Sequence, residues 1–277
     1  HGIGYLTGNL LALLPNRLRS VADRNIRQCL PEQSEREHRR LLRACMVETA
    51  RAVTETGALW LRPGKRALRL IRAVEGRELV DAALAGGRGV ILATPHLGSW
   101  EAAGLYGAAS FGMTCLYRPL RLRSLERLVR EARERPGARY VPASTGGIRV
   151  MYQTLEEGGT AALLPDQEPS TGAGVFAPFF GIPAWSGVLL ARMARRTGAP
   201  VVFAWCERLP RGRGYHLYFR SAPADIDKAD LEVAASAMNR AVETLVRGCP
   251  QQYQWGYRRF KRRPQGEAPF YPVRHRR

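Results

Sequence analysis

The chain has 277 residues, 45% of them hydrophobic, enough for one large α/β domain or two small ones with a real core, which excludes intrinsic disorder. Lys and Arg number 43 against 24 Asp and Glu, a net charge of +19, so a polyanionic partner is expected: nucleic acid, anionic lipid headgroups or an acidic carrier protein. Five scattered cysteines (Cys29, Cys45, Cys115, Cys206, Cys249), odd in number and without C-x-x-C spacing, point to neither a disulfide framework nor a metal site and fit a reducing, cytosol-facing location.

The first residues, "IGYLTGNLLALLP", form an apolar run of about a dozen, short of the roughly 17 to 25 that a spanning helix needs. Three readings are open for it: the remnant of a longer anchor, an interfacial helix, or a buried N-terminal helix. Because the chain starts at His1, a native segment ahead of it is expected. Residues 34–60 open with Ser34 and Glu37 in capping-box spacing and carry Leu42, Cys45, Thr49, Val53 and Trp60 at helical intervals, which predicts a long amphipathic helix. A short helix is expected over 77–86, ended by Gly86 and Gly87.

From there β-rich runs at 89–94, 114–117, 139–142, 160–164, 200–205 and 215–220 alternate with helical stretches near 99–110, 124–134, 146–157 and 185–197. This is an α/β chain with a mixed, mostly parallel sheet flanked by helices. The last two runs, joined by a Pro/Gly/Arg turn, predict an antiparallel hairpin at one edge, and a final helix is expected over 229–247. We expect one structural domain, with residues 1–75 a helical, membrane-associating extension and 76–277 the α/β core.

The chemistry concentrates where "GVILAT" runs into "PHLGSWE". Pro95 blocks the strand, and Gly98-Ser99 offers a turn and an N-cap for a helix. His96 then lies in the loop at the strand's C-terminal edge, where α/β proteins build sites. Residues five apart on one continuous helix point about 140° away from each other. His96 and Glu101 therefore cooperate only if His96 precedes the helix and Glu101 sits in its first turn. In that geometry the carboxylate holds one imidazole nitrogen while the other takes a proton from a hydroxyl. The alternative is a loop histidine beside a carboxylate placed by the helix dipole.

Further along, "LYRPLR" sets Arg118 at a strand end, "LLPDQEPSTGAGVFAPFFG" brings Asp166, Gln167 and Glu168 to another, and the chain closes with "PQQYQWGYRRFKRRPQGEAPFY". Taken together these motifs resemble the lipid A late acyltransferases, members of the wider H-x4-D/E lysophospholipid acyltransferase group, from about residue 20 to 271 and in the same order. The resemblance implies a glycerolipid acyltransferase-like fold and an inner-membrane enzyme, peripheral or singly anchored, with its catalytic domain on the cytoplasmic side. It also implies acyl transfer from acyl carrier protein to a hydroxyl of a lipid A precursor, with no cofactor beyond that co-substrate. The family's H-x4-E corresponds to His96 and Glu101, its Y-R-P element to Tyr117, Arg118 and Pro119, and its D-Q element to Asp166 and Gln167. Many members carry "DQDYG" and then a Lys or Arg before "VFVPFFG", whereas this chain has "DQEPSTGAGVFAPFFG", which leaves substrate contacts in that loop open.

On this reading His96 is the base and Glu101 orients it. Arg118 stabilises the oxyanion, grips an acceptor phosphate, or is a salt-bridge partner of Asp166 or Glu168. Asp166 and Gln167 organise the site, and Tyr117, Arg258, Arg259 and Lys261 bind substrate. "YRRFKRR" comes with no nucleic-acid-binding signature, so an anionic membrane surface and the carrier protein are the expected partners and nucleic acid is not. The stretch "VFAPFFGIPAW" either lines an acyl groove or is ordinary core. Two rival functions remain: an acyltransferase for a lysophospholipid, glycolipid or aminolipid, and a noncatalytic basic binder of membrane or nucleic acid.

Overall fold

The computed structural model describes residues 2–62, 64–117, 119, 123–169 and 174–271. Four helices come first: α1 (Gly2–Leu13), α2 (Arg17–Cys29), α3 (Glu35–Leu61) and α4 (Gly64–Leu68). The capping box at the start of α3 is formed, with the Ser34 N–H donating to Glu37 Oε2 at 2.7 Å. Leu42 and Cys45 of α3 are buried as their spacing predicts, but Val53 is 72% exposed. α1 lies along α3 through Gly4 and Gly8, and a Cβ on Gly8 would come within 2.4 Å of Val47 Cα. Its other side turns Ile3, Leu6, Leu10 and Leu13 to the exterior, so α1 is not a buried helix. Among the described residues no helix is long and apolar enough to cross a membrane.

The sheet strands are β1 (Ile71–Glu75), β2 (Val90–Ala93), β3 (Thr114–Tyr117), β4 (Arg139–Pro142), β5 (Thr160–Leu163), β8 (Val201–Arg208) and β9 (Tyr215–Ser221), in the order β1-β9-β8-β2-β5-β3-β4. β8, β2, β5, β3 and β4 run parallel, and β9 is antiparallel to β8. α5 (Glu78–Ala85), α6 (Trp100–Phe111), α7 (Arg123–Glu134), α8 (Thr145–Glu156), α9 (Leu189–Thr197) and α10 (Leu231–Gly248) pack around it. Period-two alternation divides the core. Ile91, Ala93, Val201 and Phe203 face the layer of α2, α3, α9 and α10, while Val90, Leu92, Val202 and Ala204 face that of α5 and α6.

Three elements depart from expectation. β1 adds a strand beyond the hairpin, parallel to β9, so the hairpin is not the edge and the sheet draws on chain ahead of residue 76. Its residues "IRAVE" are mostly exposed and carry no apolar run to betray a strand. β6 (Gly174–Phe179) and β7 (Ile182–Gly187) form a separate two-stranded ribbon, and α9 begins only at Leu189. The ribbon hides in the sequence because Pro178 and Pro183, which read as breakers, sit opposite each other in it. Its turn holds Phe180 and Gly181 at φ 50° and 74°, the paired left-handed geometry that suits a two-residue hairpin loop.

Candidate active site

The site is built by register. β2 and β5 are parallel neighbours, with Ala93 opposite Leu163. His96 and Asp166 each lie three residues beyond those paired ends, so two loops 70 residues apart in sequence deliver them to one place. His96 Nδ1 is 2.8 Å from Asp166 Oδ1, and the His96 backbone N–H donates to Asp166 Oδ2 at 3.0 Å. Burial alone would push the Asp166 carboxyl up; the imidazole charge and the hydrogen bonds from His96 outweigh it and hold the group below the ordinary carboxylate range. Burial first, and the nearby Asp166 carboxylate second, raise the Tyr253 phenol well above its ordinary range. It therefore remains a donor.

A carboxylate on Nδ1 keeps the proton there and leaves a lone pair on Nε2. Gln167 Nε2 lies 3.1 Å from that nitrogen and also donates to Gln254 Oε1 at 3.0 Å, so the amide hydrogens point at both acceptors. Trp100 packs its ring against the imidazole at 5.3 Å.

The loop carrying His96 is pinned on two sides. Gln254 N–H donates to His96 O at 3.1 Å and Gln252 O accepts from Gly98 N–H at 3.1 Å. Gly98 has φ 63°, and a Cβ there would sit 2.1 Å from Cys206 O, so only glycine lets the loop approach β8 this closely. Arg208, clasped by both Glu55 oxygens at 2.8 and 2.7 Å, donates to Gly98 O at 2.8 Å. Ser99 takes the N-cap position of α6 without a side-chain cap bond. Its N–H goes to Cys206 O at 2.7 Å instead.

The geometric demand on the motif is met: His96 precedes α6 and Glu101 is in its first turn. The pairing is different. Glu101 accepts from Trp60 Nε1 at 3.0 Å and from Arg133 Nε at 3.1 Å, with a second Arg133 contact through Nη2, and the carboxylate on the imidazole is Asp166. From the first turn of α6 the Glu101 side chain is directed toward α3 and α7, so orienting His96 falls to the neighbouring strand's loop. Arg133 is also sandwiched by aromatic rings, 5.5 Å from the centroid of Trp60 and 5.7 Å from that of Tyr140. Arg133 had no motif to mark it, Trp60 stood only in the helical period of 34–60, and Tyr253 and Gln254 lay within the closing motif with no role assigned to either. The helical period of 123–134 and the aromatic run at 253–257 were the available signals.

Arg118 lies outside the described residues. The Tyr117 hydroxyl donates to Glu126 at 3.1 Å while its ring lines the cavity beside His96. Arg258 rests 4.7 Å over the Tyr271 ring, and Lys261 is exposed with its backbone N–H on Glu168 at 3.0 Å. Arg259 does not line this site's cavity. It is 3% exposed and donates to Trp185 O and Ser186 Oγ, both at 2.7 Å, because its chain enters between β7 and α10. Arg259→Met is accordingly expected to cost about 3 kcal/mol of stability by orphaning those acceptors. Thermal unfolding should register this as a clear drop in Tm, while KM for substrate stays near that of the parent.

A cavity of about 440 Å³ opens at His96, Trp100, Gln167 and Glu168. It extends past Glu101 and Arg133 between α6 and the sheet, where Ala103, Gly104, Gly107, Ala162 and Ala204 leave room that larger side chains would fill. "VFAPFFGIPAW" supplies core rather than this space, with Phe179, Phe180 and Ala184 packed inside.

A histidine whose Nδ1 meets a buried carboxylate, with an amide rather than a hydroxyl or thiol on Nε2, thus stands at the mouth of a largely apolar cavity in an α/β fold. The model of the bacterial lipid A biosynthesis acyltransferase family matches residues 3–262. The chain belongs to that family and is an O-acyltransferase of lipid A biosynthesis. It is 29% identical over 269 residues to a lipid A biosynthesis lauroyltransferase of Escherichia coli, covering 95% of this chain and 86% of that one. It is 27% identical over 272 residues to a lipid A biosynthesis palmitoleoyltransferase of the same species, covering 97% and 87%. A phosphatidylinositol mannoside acyltransferase of Mycobacterium tuberculosis is 34% identical over 158 residues, 56% of this chain and 50% of that one. Lipid A is a membrane lipid, so membership implies membrane association.

Proposed function

We propose that the protein transfers a fatty acyl chain from acyl carrier protein to the hydroxyl of a hydroxyacyl chain on a lipid A precursor, forming an acyloxyacyl ester. The observation that carries this is the His96 Nδ1 contact with Asp166, which leaves Nε2 turned to the mouth of a largely apolar cavity. The acceptor hydroxyl displaces Gln167 from Nε2 and gives its proton to His96 as its oxygen attacks the thioester carbonyl. Asp166 stabilises the imidazolium that results. Collapse of the tetrahedral intermediate breaks the C–S bond, and the imidazolium proton goes to the departing thiolate. Thioester and alcohol become ester and thiol, with no cofactor required.

Glu101 acts at one remove by holding Arg133 against the cavity, and Arg118 receives the oxyanion or an acceptor phosphate. Donor and surface follow from charge: a net +19 suits an acidic carrier and an anionic leaflet, where each basic residue near the surface contributes about 1 kcal/mol. The exposed leucines of α1 would enter the cytoplasmic face of the inner membrane. A glycolipid acceptor is the second reading, favoured by the mannoside acyltransferase similarity.

Purified protein with a panel of acyl carrier protein thioesters and lipid A precursor, read by mass spectrometry, is expected to add one acyl group per precursor. Acylation of a mannosylated lipid or lysophospholipid instead, with the lipid A precursor untouched, would overturn the acceptor assignment.

A further inference from the structure

A second apolar hollow of about 150 Å³ lies on the other side of Trp100 from the acyl cavity. One face of α3, with Thr49, Ala52, Val53 and Thr56 at spacings of three and four, forms one wall, and Tyr253 the other. Trp100 lines both hollows, and its ring touches the His96 imidazole. Glu48 and Arg208 stand in the same wall but are already paired, Glu48 with Arg51 and Arg208, and Arg208 with Glu55. They therefore close the hollow without offering an uncompensated charge. At its rim is Val53, 72% exposed.

Two hydrocarbon chains must reach one base in the proposed reaction. The donor's reactive carbonyl is at the end of its chain, so a single deep cavity serves it. The acceptor's hydroxyl sits partway along a chain, and the carbons beyond it need an apolar lane that the donor does not occupy. We infer that the hollow between α3 and residues 252–254 is that lane: it takes the distal part of the acceptor's hydroxyacyl chain, with Trp100 as the partition between donor and acceptor. The assignment rests on the acyl-transfer reading of the site.

The test compares wild-type protein with Ala52→Trp, which fills the lane, and Val53→Asp, which charges its mouth at an exposed position that cannot compromise the core. Acceptors would be a lipid A precursor with full-length hydroxyacyl chains and one with 3-hydroxybutyryl chains, with lauroyl acyl carrier protein as donor. Each buried methylene is worth about fourfold in binding. Losing two or more should therefore raise the KM for the long acceptor roughly 15-fold or beyond in both variants, with donor KM unchanged and no difference on the short acceptor. An unchanged acceptor KM, an equal effect on both acceptors, or a rise in donor KM alone would overturn the lane. Wild-type protein that acylates neither acceptor would overturn the acyl-transfer reading and this inference with it.

Discussion

His96→Ala is expected to lower kcat by about a hundred- to ten-thousand-fold, the range that loss of a positioned general base produces, with Tm nearly unchanged. The side chain is half-buried at the cavity mouth, and its loop is held by backbone bonds that do not involve the imidazole: His96 O to Gln254 N–H, Gly98 to Gln252 and Arg208, and Ser99 N–H to Cys206 O. Acyl chains still enter the 440 Å³ cavity, so donor KM should move little. Retained transfer by the purified variant would remove His96 from the reaction. Initial rates with acyl carrier protein thioester, alongside a melting curve, decide it.

Asp166→Asn should approach the same loss, by roughly three to four orders of magnitude, as tautomer reversal does in hydrolytic triads. Both carboxylate oxygens are in use: Oδ1 faces Nδ1 at 2.8 Å and Oδ2 accepts the His96 backbone N–H at 3.0 Å. An amide can supply one acceptor only. If its oxygen keeps the backbone N–H, the NH2 group confronts Nδ1, drives the proton to Nε2 and abolishes the base. If it flips, a buried backbone donor is left unpaired.

The pH dependence of stability has a definite sign. The folded-state pKa of Asp166 is lowered, although burial opposes this, by the His96 charge and hydrogen bonds. The carboxylate therefore stabilises the fold above its ordinary pKa of 3.8, and that contribution is lost as pH falls from there through the lower folded value. Wild type should lose Tm in this acid window more steeply than Asp166→Asn. Parallel Tm profiles and a near-normal kcat in the variant would together show that Asp166 only fills space.

The His96–Asp166 pairing marks the boundary between local and global information. That His96 stands in a loop after a strand and Glu101 in the first turn of the next helix is legible from "GVILATPHLGSWE" alone. Proline stops the strand, glycine permits the tight approach, and the apolar period then changes from two to 3.6. The same local logic places β2, β3, β4, β5, β8 and β9 within a few residues of their observed ends. It does not place β1, whose residues are exposed, or the β6–β7 ribbon, whose prolines oppose each other.

Nor does it say which carboxylate meets the imidazole. Glu101 is five residues from His96 and goes to Arg133 and Trp60; Asp166 is 70 residues away and meets the ring. Strand order decides this, and strand order depends on which apolar faces pack together. In the same way the composition of "YRRFKRR" announces cations, but only the packing of β7 against α10 turns Arg259 inward while Lys261 stays in solvent.

By itself, then, the sequence determined the alternation of elements, the loop that bears His96 and the cationic surface, because these follow from near-neighbour sterics, periodicity and charge. The tertiary structure alone decided the partner of the His96 imidazole, the apolar space between α6 and the sheet, and the division of that space from the hollow along α3. Each of those is a distance between segments remote in the chain, and only the register of β2 with β5 and the packing of helices on the sheet set it.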